Sequence, residues 1–123
     1  MELLKELYRI SSPSGNEKKM KKFIKDWTKR NVSDCSFKSD KFGNMYFTKG
    51  ESETYPCVVA HLDEVHKEKG KDFRVIENDG ILFGFNYAKK DYVGIGADDK
   101  NGIWVALNCL KLFSEIKVAF FVQ

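Results

Sequence analysis

Apolar residues near the start of the chain recur at helical spacing. Leu3, Leu4, Leu7 and Ile10 mark one side of residues 1–10, which predicts a short amphipathic helix. The turn formers Ser11-Ser12-Pro13-Ser14-Gly15 end it. Ser14 stands three residues before Glu17, the arrangement of a capping box, so a second helix is expected to begin there and run to about Arg30. Met20, Phe23, Ile24 and Trp27 give that helix one apolar stripe, and its other face is rich in lysine.

Beyond residue 35 the period shortens. Residues 36–40 and 44–48 read as strands flanking a Phe42-Gly43-Asn44 turn. Residues 56–60 are apolar on both faces, the pattern of a central strand buried on each side. Residues 73–77 and 81–83 pair naturally around Asn78-Asp79-Gly80, a strong hairpin signal. A helix is expected from about Lys100 to Phe113, and residues 117–122 read as another buried strand. Helices alternating with buried strands, with a hairpin inserted, predict an α/β fold with helices layered on a mixed, largely parallel sheet. The last strand stops at Gln123 without a polar tail, so residues 1–123 are expected to be one portion of a domain, incomplete at the C-terminus.

Composition narrows the partners. Charged residues at 32% and hydrophobic residues at 42% suit a globular domain rather than a disordered one. The net charge is only +3, and arginine is confined to Arg9, Arg30 and Arg74. The lysine face of the second helix therefore reads as a solvated surface, and no nucleic-acid partner is expected. No apolar run approaches the ~20 residues of a membrane span, so no membrane association is expected. Glu2, Lys5 and Glu6 make the N-terminus unlike a signal peptide. Cys35, Cys57 and Cys109 are odd in number and far apart, which argues against disulfides or a zinc knuckle. Cys57 and Cys109 read as small core hydrophobes, and a reducing cytoplasm is the expected setting.

The candidate chemistry sits at two junctions. His61 falls where an expected strand ends, the place where ligand sites form in open α/β sheets. Asp63, two residues on, points to the same side and can fix the imidazole tautomer through its second ring nitrogen. Asp98 precedes a helix whose N-terminal N–H groups favour an anion, and Asp99 can share that role or cap the helix. His61 and Asp98 are thus candidate metal ligands, with Asp63 as the orienting carboxylate. Each also has a plainer reading, as a structural histidine and a helix cap. The His61-Leu62-Asp63-Glu64-Val65-His66 run lacks the i, i+4 histidines of a helical zinc motif, and His66 is expected to be exposed, with a place lining a site as the lesser alternative.

Five segments, in order, resemble the N-terminal part of the dinuclear zinc exopeptidases, the group holding peptidase T, the carboxypeptidase-like amidohydrolases and the glutamyl and leucyl aminopeptidases. They are Ser12-Pro13-Ser14-Gly15-x-Glu17, Asp40-x-x-Gly43-Asn44, His61-x-Asp63, Gly96-Ala97-Asp98-Asp99-Lys100-x-Gly102 and the run from Val118 to Gln123. The short spacing between His61 and Asp98 resembles the peptidase T-like branch. The resemblance implies that His61 binds one zinc, that Asp63 orients it, that Asp98 bridges a pair of zinc ions, and that the Asp98–Asp99 peptide is cis. It implies a phosphorylase/hydrolase-like fold and cleavage of terminal peptide bonds in short peptides. The family's general base and remaining ligands have no counterpart in these residues. The chain by itself is therefore expected to be inactive, with zinc held weakly or not at all. An amidohydrolase or deacetylase of the same group fits the same residues. So does a non-catalytic remnant that self-associates through an exposed sheet edge.

Overall fold

The computed structural model describes residues 1–67 and 69–123. Its N-terminal patterns become α1 (Glu2–Arg9) and α2 (Lys18–Asn31). Met20, Ile24 and Trp27 are buried along the apolar stripe of α2, and Phe23 packs against the same core. The capping box does not form: α2 starts after Glu17 with no side-chain cap. Instead the Glu17 carboxylate accepts the Gly15 N–H at 2.6 Å, and the Ser14 hydroxyl donates to Asp63 at 2.6 Å. The Ser14–Asp63 bond is charge-assisted and holds the Ser14 side chain at the end of β3 rather than at the start of α2.

A hairpin follows, of β1 (Cys35–Ser39) and β2 (Met45–Lys49) paired antiparallel. Asp40 builds its turn. One carboxylate oxygen accepts the Phe42 and Asn44 N–H groups, each at 3.0 Å, and the other accepts the Asn44 amide and the Tyr46 hydroxyl, each at 2.9 Å. After β3 (Cys57–His61) come β4 (Phe73–Asn78), β5 (Ile81–Asn86) and β6 (Asp91–Val93), then α3 (Ala97–Leu112) and β7 (Ile116–Phe121).

Among the described residues, the main sheet has four strands in the order β1-β2-β7-β3. It is mixed, as expected, but its parallel share is smaller than expected: β7 runs parallel to β3 and antiparallel to β2. The reason is connection length. A tight turn forces β1 and β2 antiparallel, whereas the long excursion through α3 lets β7 return beside β3 in the same direction. Met45, Phe47, Val58, Ala60, Val118 and Phe120 point into the core, against Ile103, Ala106, Leu107 and Leu110 of α3 and the stripes of α1 and α2.

β3 corrects the expectation of a strand buried on both sides. It lies at the edge of the sheet, with Val59 55% exposed and Cys57 exposed. Cys57 is accordingly not a core residue, whereas Cys109 does pack against the core. The opposite sheet face, with Val59, Ala119 and Phe121, carries no helix among the described residues.

The inserted hairpin forms as predicted, with Asp79 and Gly80 at φ 54° and 78°, both in the left-handed region that such tight turns need. β6 joins it as a third strand that the pattern did not reveal, since Asp91-Tyr92-Val93 is short and mostly exposed. Phe83 and Phe85 meet Tyr92 edge-on across this small sheet, at 5.5 and 5.6 Å. No helix among the described residues is long and apolar enough to cross a membrane.

Candidate metal centre

Strand β3 carries its last residue, His61, to the carboxyl edge of the sheet beside Phe121 of β7. The Leu62 N–H donates to the Phe121 carbonyl at 2.8 Å, so the chain stays tied to β7 for one more residue and Asp63 emerges close to His61. The ring Nδ1 of His61 lies 3.0 Å from Asp63 Oδ1, and Ser14 Oγ donates to Asp63 Oδ2 at 2.6 Å. With Nδ1 engaged there, Nε2 faces outward, 2.9 Å from Asp98 Oδ1. The structure thus brings together His61, Asp63 and Asp98, the residues singled out from the sequence.

Asp98 arrives through the start of α3. Asp98 and Asp99 have non-helical backbone angles, the peptide between them is cis, and regular helix follows from Lys100. Asp99 turns away from the imidazole. Its Oδ2 accepts the backbone N–H of His61 at 3.3 Å and its Oδ1 accepts the Gly102 N–H at 3.1 Å, tying the first turn of α3 to the end of β3. This clip requires glycine at 102, where a Cβ would lie 2.3 Å from Asp99 Oδ1.

The charges reinforce the arrangement. Burial disfavours a charged imidazole, but the hydrogen bonds to Asp98 and Asp63 outweigh it and hold His61 above its ordinary value. Burial likewise pushes the Asp63 carboxyl up, and Ser14 and His61 together pull it below the usual range. The His61 side chain is 42% exposed and that of Asp98 is 94% exposed, so the outward pair is open to an incoming ion.

An imidazole nitrogen with a carboxylate oxygen, the imidazole backed by a second carboxylate, is a donor chemistry that zinc takes. It is an incomplete set: protein zinc sites use three or four ligands. Among the described residues no group of three or more His, Cys, Asp or Glu side chains is gathered to hold a metal.

Sequence reasoning missed what lies beneath. Glu64 and Lys100, 2% and 1% exposed, form a hydrogen-bonded ion pair directly under the junction. Lys69 Nζ lies 3.2 Å from the other Glu64 oxygen. Burial would raise the Glu64 carboxyl, yet Lys100 and then Lys69 hold it below its ordinary value. Burial, with Lys69 alongside, pushes Lys100 down to about 7 in spite of Glu64, so the charge on Glu64 is the secure one of the pair. The available signal was an acid and a base immediately following the metal motifs. His66 is half-buried rather than exposed and follows the lesser alternative: it packs under Gly94 and lines a cavity of about 310 Å³ with Lys69, Phe73 and Val93.

No protein-family model matches this chain, and no curated protein does. Solved structures share its fold. A tripeptidase from Staphylococcus aureus subsp. aureus Mu50 superposes with a TM-score of 0.76 at 20% identity, over 98% of this chain and 35% of its own. An aminoacylhistidine dipeptidase from Vibrio alginolyticus gives 0.73 at 18% identity, over 99% and 27%. The aminopeptidase PepT from Bacillus cereus ATCC 10987 gives 0.72 at 17% identity, over 97% and 34%. The chain therefore has an α/β fold found within peptidases, and it spans roughly a third of their length.

Proposed function

We propose that residues 1–123 are the N-terminal portion of the catalytic domain of a zinc-dependent exopeptidase that acts on the terminal bonds of short peptides. One observation carries this reading: His61 Nε2 and Asp98 Oδ1 meet at 2.9 Å, with Asp63 fixed behind the ring, on a fold shared with peptidases. His61 and Asp98 would hold the metal. A zinc ion bound there supplies Lewis-acid polarisation of a substrate carbonyl. The exposed carboxylate of Asp98 also suits a bridge between a pair of ions. Asp63 sets the imidazole tautomer, Ser14 sets Asp63, and Asp99 fixes the angle at which α3 presents Asp98.

On this reading the chain alone lacks activity. Each carboxylate near His61 is engaged: Asp98 by the ring as the second candidate ligand, Asp63 by Ser14 and the ring, Asp99 by backbone N–H groups, Glu64 by buried lysines. Among the described residues none of these is left to take a proton from an attacking water. The uncovered edge and face of β3 suit association between copies of the chain. The free cysteines fit a reducing cytoplasm.

Calorimetric zinc titration of the folded chain tests the assignment. His61→Ala and Asp98→Ala are each expected to bind at least ~10-fold more weakly than the parent, since loss even of an outer-shell partner costs that much. Both should keep the parent circular dichroism, because the side chains sit at element ends outside the core. Parent-like zinc affinity in both variants would remove the metal-site reading.

A further inference from the structure

We propose that Glu64 and Lys100 are positioning residues for this site, a buried charged hub that holds in register the three chain segments supplying its parts. The inference rests on the metal-site reading above and extends it to residues that touch neither metal nor substrate.

The first segment is the turn after α1. Its Ser12 N–H and Oγ both donate to Glu64 Oε2, at 3.3 and 3.4 Å, and the Ile10 carbonyl accepts from Lys100 Nζ. The Ser12 carbonyl accepts the Glu64 N–H at 2.9 Å, and the Ser14 N–H donates to the Glu64 carbonyl at 3.2 Å. This turn delivers Ser14 to Asp63. The second segment is the end of β3, where Glu64 follows Asp63 directly. The third is the start of α3, where Lys100 follows Asp99. Lys69 adds a further brace, donating to the Tyr8 carbonyl at 2.7 Å and to the Ile95 carbonyl at 3.2 Å.

The approach is close enough to dictate sequence. A Cβ at Gly96 would lie 2.9 Å from Glu64 Oε1 and 3.3 Å from Lys100 Cδ, and Gly96 has φ +78°. Stability alone does not account for such a cluster. Removing a carboxylate and an ammonium from water is costly, and well-packed apolar side chains of similar volume often serve as well or better. What a charged hub supplies that an apolar one does not is direction. Donors from the turn (Ser12), from Lys69 and from the helix start (Lys100) converge on Glu64 Oε2 at the strand end, so the three segments are tied to a single atom. A slip of about 1 Å between β3 and α3 would take Asp98 out of reach of His61 Nε2.

The experiment uses the neutral double variant Glu64→Gln/Lys100→Met, with the ¹⁵N chemical shift of His61 Nε2 and zinc affinity measured well below the unfolding temperature. Asp98→Asn serves as the reference for a weakened His61–Asp98 contact. A folded double variant is expected to move the His61 shift most of the way to that reference and to bind zinc at least ~10-fold more weakly. A purely structural hub would change the unfolding temperature while leaving the shift of the folded protein at its parent value, and that result overturns the proposal. Should the double variant fail to fold, Glu64→Gln alone, which keeps the shape and one acceptor oxygen, carries the same readouts. The shift decides the matter independently of the metal. A parent chain that binds no zinc bears on the metal reading alone, and the His61 shift still tests the hub.

Discussion

Asp40 shows how much one carboxylate can organise. Its hydrogen bonds, first from the Asn44 side chain and then from Tyr46 and the turn amides, hold its carboxyl down to about 2 from an ordinary 3.8. A depressed value in the folded state means that the stabilisation is present above the ordinary value and is lost as pH falls from 3.8 towards about 2. Asp40→Asn should therefore lower the urea midpoint at pH 6, and the gap to the parent should close between pH 4 and pH 2. An unchanging gap across that range would show that the turn does not depend on the ionised carboxylate. At this scale the sequence pointed to residues that lie together in space. His61, Asp63 and Asp98 stand at recognisable junctions, and the structure gathers them within hydrogen-bonding distance. Glu64 and Lys100 were not legible, because charged residues are almost never fully buried unless paired. Nothing in a linear pattern pairs residues 36 positions apart.

Among the elements, β3 marks where pattern and environment part. Its apolar run predicts burial on both faces, yet Val58 and Ala60 face the core while Val59 is 55% exposed. An apolar alternation reports what a strand can bury, not whether a neighbour is present to cover it. The distinction predicts unequal costs. Val59→Thr should change unfolding free energy by no more than about 0.5 kcal/mol, as for other surface positions. Phe120→Ala, on the covered face of β7, should cost about 3–5 kcal/mol. Comparable losses in urea unfolding would mean that the outer face of β3 is covered. The helices and both hairpins were predicted closely, since their signals are local: apolar stripes, a tight Asp79-Gly80 turn and a glycine-bearing turn at Gly43. β6 escaped because three mostly exposed residues carry no period.

For the whole molecule, the uncovered sheet face joins the candidate metal centre to an apolar surface. Val59, Ala119 and Phe121 lie side by side across β3 and β7, with His61 at the end of the same row. Such a face, bordered by an edge strand, favours self-association. Light scattering should show an apparent mass that rises with concentration, and Val59→Lys should suppress the rise by placing a charge at its centre. A parent that stays monomeric over the same range would leave the face without that role. The fold class could be read from alternating helices and strands, but the antiparallel pairing of β2 with β7 could not. That pairing depends on β7 inserting between β2 and β3, a long-range choice.

The measurement that bears most directly on the account is anomalous diffraction at the zinc edge from crystals of the chain soaked in zinc. A peak within coordination distance of both His61 Nε2 and Asp98 is the predicted result, with Asp63 still bonded to Nδ1. Zinc bound elsewhere, at the exposed Cys57 or on the surface carboxylates, with His61 still hydrogen-bonded to Asp98, would contradict it.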